Sequence, residues 1–167
     1  MKEAKKKSAR QERPASVAHG LPDFARSLPM MLLRARESVM RHFRASLRRS
    51  GLTEQQWRVL RALSSVREIE VSELAHVTFL LAPSLSRILP DLERRSLVTR
   101  RTDAADLRKG LVALSDNGRA MIERVSPQSE AIYEMIADRF GAANLDRLEE
   151  LLLALEDGMA DKPHRRR

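Results

Sequence analysis

Two short stretches combine small polar groups, cations and conformational locks in a way that suits contact with DNA. The first is Pro83-Ser84-Leu85-Ser86-Arg87. If it opens a helix, Pro83 costs nothing there, because the first helical N–H groups have no partner. Leu85, Ile88, Leu89 and Leu92 then face inward, leaving Pro83, Ser84, Ser86, Arg87 and Asp91 outward. Small hydroxyls at a helix start fit a major groove about 12 Å wide, and an arginine fork can pair with guanine O6 and N7. Arg87 taken alone reads first as a solvated helix arginine; the turn, Pro83 and the hairpin in register turn the reading toward DNA. The second stretch is Asp103-Ala104-Ala105-Asp106-Leu107-Arg108-Lys109-Gly110. Two adjacent cations, Arg108 and Lys109, sit at the tip of a polar loop where Gly110 permits the turn. An arginine at such a tip can enter a narrow minor groove, with Asp106 expected to hold the Arg108 guanidinium.

The flanking elements must position these loops. Leu74, Ala75 and Val77 mark a short helix, capped by Ser72, that is expected to pack onto the one beginning at Pro83. Phe79-Leu80-Leu81-Ala82 makes the turn between them. Pro90 interrupts the second helix. Leu97-Val98-Thr99-Arg100-Arg101 and Leu111-Val112-Ala113-Leu114 read as two strands. Helix, turn, helix and hairpin together make a winged helix-turn-helix over residues 51–115. Upstream, Ile69-Glu70-Val71 is a short extended piece, and Thr53-Glu54-Gln55-Gln56 has the form of a capping box.

On either side lie long amphipathic helices. Phe24, Leu28, Met31, Leu32, Ala35, Val39, Phe43 and Leu47 recur at steps of three and four, and Gly51 ends that run. Pro29 places the helix start near Leu28. Ser115 caps a helix carrying Met121, Ile122, Val125, Ile132, Tyr133, Ile136 and Phe140, with a kink expected at Pro127. A last helix follows Gly141 and carries Leu145, Leu148, Leu151, Leu152, Leu155 and Met159. The fold class is therefore mainly α with a small β-hairpin: a winged helix-turn-helix domain plus a helical dimerisation region formed by residues 21–50 and 116–160. Leu151, Leu152, Leu153 and Leu155 cover more than one helical face, which suits packing between subunits. A homodimer held by the first and last helices follows.

The 167 residues carry a net charge of +8, but its placement matters more than its size. Residues 1–13 hold six Lys/Arg against two Glu, and residues 162–167 hold four more cations. Residues 1–20 are read as a disordered basic arm and 161–167 as a basic tail. The intervening chain balances, with residues 21–50 positive and 116–161 negative. There is no cysteine, so thiol nucleophiles, thiolate metal sites and disulfides are excluded. His19, His42, His76 and His164 lack metal-ligand spacing. Glycines are few and scattered, and no nucleophile–base pair is visible, so neither a catalytic site nor a cofactor or metal is expected. Aromatics make up 4%, too few for base-stacking platforms. Neither a membrane span nor a secretory leader is visible, and the expected compartment is the cytoplasm.

Asp106-x-Arg108-x-x-x-Val112-x-Leu114-Ser115-x-x-Gly118 resembles the wing signature of the MarR family of transcriptional regulators, and Pro83 to Leu89 resembles its recognition helix. Leu33-x-Ala35-Arg36-Glu37, Met40, Phe43-Arg44 and Leu52 to Arg58 are similar to the branch that regulates homoprotocatechuate degradation. Ser96 stands where the family usually has glycine. The resemblance implies a homodimeric repressor on a pseudo-palindromic operator, released by a small aromatic or heteroaromatic carboxylate. Arg34, Ser38, Arg41 and His42 edge the apolar face of the first helix, and Trp57 and Arg58 begin the next. The carboxylate is expected on Arg34, Ser38, Arg41 and His42, with Trp57 against the ring. His42 reads equally as a core histidine, and Arg36 on the opposite flank is an alternative carboxylate partner. A ligand-independent, architectural DNA binder is the competing reading.

Overall fold

A computed structural model describes residues 23–160; the basic arm and tail expected at the termini lie outside them. A single 3-10 turn, Phe24–Arg26, precedes α1 (Leu28–Arg49). Pro29 falls in the first turn of α1, and Gly51, at φ 66°, follows its end. The chain divides into two units, residues 1–38 and 39–167. In the described part of the first unit, Leu28, Met31, Leu32 and Leu33 are exposed. A depression of about 430 Å³ is lined by Ala25, Arg26, Met31, Arg34, Ala35 and Ser38.

The second unit contains the rest of α1, then α2 (Glu54–Ser64), β1 (Ile69–Glu70), α3 (Val71–Thr78), α4 (Ala82–Arg94), β2 (Val98–Thr102), β3 (Gly110–Leu114), α5 (Asp116–Phe140) and α6 (Ala142–Met159). The capping box forms as expected. Thr53 Oγ1 accepts from Gln56 N at 3.1 Å, and Gln56 Oε1 accepts from Thr53 N at 2.9 Å. Ser115 caps α5 by accepting from Gly118 N at 3.0 Å. The cap expected of Ser72 does not form. Val71 already begins α3, Glu70 is the N-cap, and the Ser72 hydroxyl donates to Glu70 Oε1 at 2.5 Å. Val71 thus belongs to a helix, not to the extended piece. Pro127 lies inside α5, which runs unbroken through it.

The hairpin gains a third strand. The sheet order is β1-β3-β2, all antiparallel, with Ile69 opposite Val112 and Val98 opposite Leu114. One core fills this unit: Phe43 and Leu47 of α1, Val59, Leu60 and Leu63 of α2, Leu74, then Leu85, Ile88, Leu89 and Leu92 of α4, Val98, Val112 and Leu114 of the sheet, and Met121, Ile122 and Val125 of α5. α1 meets α5 where buried Ser46 donates to Gln128 Oε1 at 2.6 Å and where Phe43 and Tyr133 stand edge-on at 5.2 Å. Val77, expected to pack α3 onto α4, is 48% exposed; the inward side of α3 is made by buried Leu74 and Thr78, with Val71 and Ala75 half-buried against the core. Tyr133, Phe140, Leu148, Leu151, Leu152, Leu153 and Met159 leave α5 and α6 with exposed apolar surface. Among the described residues no helix is long and apolar enough to cross a membrane, and no His/Asp/Glu group is arranged to hold a metal.

Candidate nucleic-acid interface

α4 is amphipathic in the manner its sequence dictates. Leu85, Ile88, Leu89 and Leu92 are buried, while Pro83, Ser86 and Arg87 are exposed and Ser84 is half-buried. Ala82 is the first residue of α4 and Pro83 the second, still within the turn whose N–H groups need no partner. The chain enters α4 through Phe79, which adopts a left-handed conformation at φ 51°, ψ 38°. Phe79 N donates to His76 O and Leu80 N to Ala75 O, closing the end of α3. The Ser86 hydroxyl donates back to Ala82 O at 2.9 Å, and it can still accept from outside. Arg87 enters no ion pair among the described residues. With Gln55, Pro83, Ser84 and Ile88 it lines a cleft of about 220 Å³. Asp91, expected to point outward, is half-buried: it accepts from Gln56 Nε2 at 2.8 Å and pairs with Arg94 and Arg95.

The wing is the loop between β2 and β3. Asp103 N donates to Lys109 O at 2.9 Å and Lys109 N to Asp106 O at 2.9 Å, so the loop is closed by its own backbone. Asp106 does not take the role expected of it toward the Arg108 guanidinium. Its carboxylate accepts from the backbone N–H of Arg108 at 3.1 Å, an Asx turn of the kind a short acid favours two residues upstream. Arg108 is thereby left exposed, with no ion pair among the described residues. Lys109 is committed differently: its ammonium lies 3.2 Å from Glu70 Oε2. The hydrogen bond from Ser72, and after it that from Lys109, holds the Glu70 carboxyl below its ordinary value; Glu70 in turn raises Lys109. Arg101 grips Glu68 through two bonds, at 2.6 and 3.1 Å, and Arg100 sits 3.4 Å from Glu93. These cross-strand and cross-loop pairs had no signal in local sequence.

Glycine and serine set the base of the wing. Gly118 lies so close to the residue before β2 and to the end of β3 that a Cβ there would fall 2.1 Å from Leu97 O and 2.7 Å from Leu114 Cδ1. Ser96, after α4, has φ 55°, the left-handed region that glycine occupies without strain. Its carbonyl accepts from Ser115 Oγ at 2.6 Å.

The residues expected around a ligand are distributed as follows. Arg34 and Ser38 belong to the first unit, where the Arg34 guanidinium donates to Ala25 O at 3.1 Å. Arg36 pairs with Glu37 at 2.8 Å. In the second unit Arg41 is exposed, His42 is half-buried, and Trp57 packs half-buried against the core. Arg61, one turn beyond Trp57, stacks its guanidinium 5.9 Å from the indole centroid. The i, i+4 spacing of tryptophan and arginine was the signal for this pair.

The sequence profile of the MarR family matches residues 50–109. The homoprotocatechuate degradative operon repressor of Escherichia coli is 39% identical over 126 residues, covering 75% of this chain and 85% of that protein. Among solved structures, the transcriptional regulator PA4135 superposes with a TM-score of 0.78 at 40% identity, covering 81% of this chain and 98% of its own. NadR in complex with 4-hydroxyphenylacetate superposes at 0.70 with 30% identity, covering 86% and 97%.

Proposed function

Because the chain belongs to the MarR family of transcriptional regulators, we propose that it is a homodimeric repressor of aromatic-acid catabolic genes, released from its operator by a small aromatic carboxylate. It is a DNA-binding regulator of the winged helix-turn-helix type. One observation carries the reading of its interface. The first two turns of α4 bury every large apolar residue and expose Pro83, Ser86 and Arg87, with half-buried Ser84 beside them. In this reading Arg87 forks onto guanine, Ser84 and Ser86 bond to phosphate or base edges, and Arg108 at the wing tip enters the minor groove. Asp106 shapes the wing, and Lys109 braces it against Glu70.

Homodimerisation is supported by the apolar residues left exposed on α5 and α6 and, separately, by those of the first unit. The protein acts on DNA in the cytoplasm, and no catalytic role is assigned to it.

The effector is read as a carboxylated aromatic ring, since the E. coli relative represses a homoprotocatechuate operon and NadR holds 4-hydroxyphenylacetate. Trp57 supplies a ring face and Arg61 a cation beside it. Arg34, Ser38, Arg41 and His42 remain the other carboxylate candidates, each to be tested by alanine substitution.

The decisive measurement is the affinity for 4-hydroxyphenylacetate and for homoprotocatechuate, with and without operator DNA. A ligand shifts an equilibrium only through differential affinity, and linkage is reciprocal. Operator should therefore weaken ligand binding by about 5–150-fold, a coupling of about 1–3 kcal/mol. Equal affinities in the two conditions reject an inducer role. Steady loss of DNA binding with salt, but no preference for operator over scrambled duplex, would restore the architectural alternative.

A further inference from the structure

The first turns of α2 hold three other elements at once. Glu54, with a side chain only 16% exposed, lies between two guanidinium groups: Arg44 of α1 at 3.1 Å and Arg58, one turn ahead, at 2.9 Å. Arg58 has a further partner. Its Nη1 donates to the carbonyl of Thr78 at 3.0 Å. Thr78 is the buried last residue of α3, immediately before left-handed Phe79. The carbonyls of Ala75 and His76 are met by Leu80 N and Phe79 N; the Thr78 carbonyl is one of those a helix leaves unmatched at its C-terminus. A cation placed there also faces the negative end of the helix dipole. Two residues earlier on α2, Gln56 Nε2 donates to Asp91 in the last turn of α4 at 2.8 Å. The turn that feeds α4 and the last turn of α4 are thus both tied to α2, and α2 is tied to α1 through Glu54.

We propose that Arg58 is a positioning residue for DNA recognition. By bridging Glu54 and the Thr78 carbonyl it fixes the turn at Phe79, and with it the angle at which the first turn of α4 meets the major groove. A base-edge hydrogen bond needs that angle; a phosphate contact tolerates its loss. Arg58 therefore acts on discrimination between sequences more than on overall affinity. A planar fork is required, because it reaches two acceptors in fixed geometry where an ammonium serves as a point charge. The inference rests on α4 being the DNA-reading helix.

The test uses the full-length protein and an operator duplex selected by it from random-sequence DNA, beside a scrambled duplex of the same composition. Arg58→Met should lower the ratio of the two affinities about tenfold, a size typical of residues that act through others. Its affinity for the scrambled duplex should stay within about twofold of the parent, because phosphate contacts carry that binding. Arg58→Lys, able to serve one acceptor well, should lower the ratio about threefold. An unchanged ratio in Arg58→Met overturns the proposal, as does equal weakening on both duplexes. If Arg58→Met does not fold, Arg58→Lys decides, and a ratio equal to the parent's overturns the assignment. Arg87→Ala is measured alongside. If it leaves the ratio intact, the reading of α4 fails, whatever Arg58 does.

Discussion

Gly118→Ala sets two effects of opposite sign against each other. Alanine is favoured over glycine in a helix interior by up to about 1 kcal/mol, and less in the first turn, where Gly118 lies. Propensity alone predicts a more stable protein. The added methyl, however, would stand 2.1 Å from Leu97 O and 2.7 Å from Leu114 Cδ1. Close carbon–oxygen contacts settle near roughly 3.3 Å, so the backbone of residue 97 or the start of α5 must shift by about 1 Å. Neither can do so freely. Leu97 O accepts from Ser115 N at 3.2 Å, and Leu97 N is bonded to Leu92 O at 2.9 Å. Overpacking of this kind costs about 1–3 kcal/mol, and backbone on one side puts it in the upper part of that range. After the propensity gain, net destabilisation should be about 1–2 kcal/mol. For a chain of this size the thermal midpoint should fall by about 2–8 °C. Scanning calorimetry or circular dichroism at fixed protein concentration reads it directly, a precaution needed because dimerisation makes the midpoint concentration-dependent. A midpoint equal to or above the parent's would refute the close-approach argument.

Ser96→Gly should do the reverse, raising the urea midpoint by an amount equivalent to about 1 kcal/mol with unchanged slope, since a left-handed non-glycine residue costs about that much; Ser96→Ala, which keeps the strain, is the control that should not gain. Arg87→Ala should cost about 1–3 kcal/mol on operator and relax preference at one base pair per half-site, read by competition with single-base variants. Glu70, held low first by Ser72 and then by Lys109, should titrate by NMR below its value in either Ser72→Ala or Lys109→Ala. Since the folded carboxyl is depressed, the stability it contributes is present above the unfolded value and is lost as the pH falls through the lowered one; an unmoved Glu70 titration in both variants would contradict the contact.

Local rules were enough for much of this fold. Thr53 with Gln56 and Ser115 with Gly118 announce helix starts because a cap is satisfied within three residues. Leu85, Ile88, Leu89 and Leu92 announce the buried side of α4 because helical period and burial are one fact. Val77 misled because an eight-residue helix has too few turns for its stripe to be defined by pattern alone. Pairing β1 with β3 joins residues more than forty apart, and no local period encodes that register. Separations of 33 and 39 residues likewise hide Arg101 on Glu68 and Lys109 on Glu70. At the candidate site, the residue types of α4 and the wing were legible, whereas the bond from Arg58 to Thr78 O depends on how α2 crosses α3.

The pairing of Arg100, Arg101 and Lys109 with Glu93, Glu68 and Glu70 has a kinetic consequence. Counterion release is driven by cations free to replace the ions condensed on phosphate, and a cation already sharing a carboxylate replaces less than one. Around the wing, the number of basic residues therefore overstates the number of ions displaced when the protein lands on DNA at random. A wing of this kind should release unrelated sequence faster than one whose cations are all unpaired. In the proposed reading, residence at the operator falls to Arg87 and Arg108, which enter no ion pair among the described residues, and the paired wing cations add little to it.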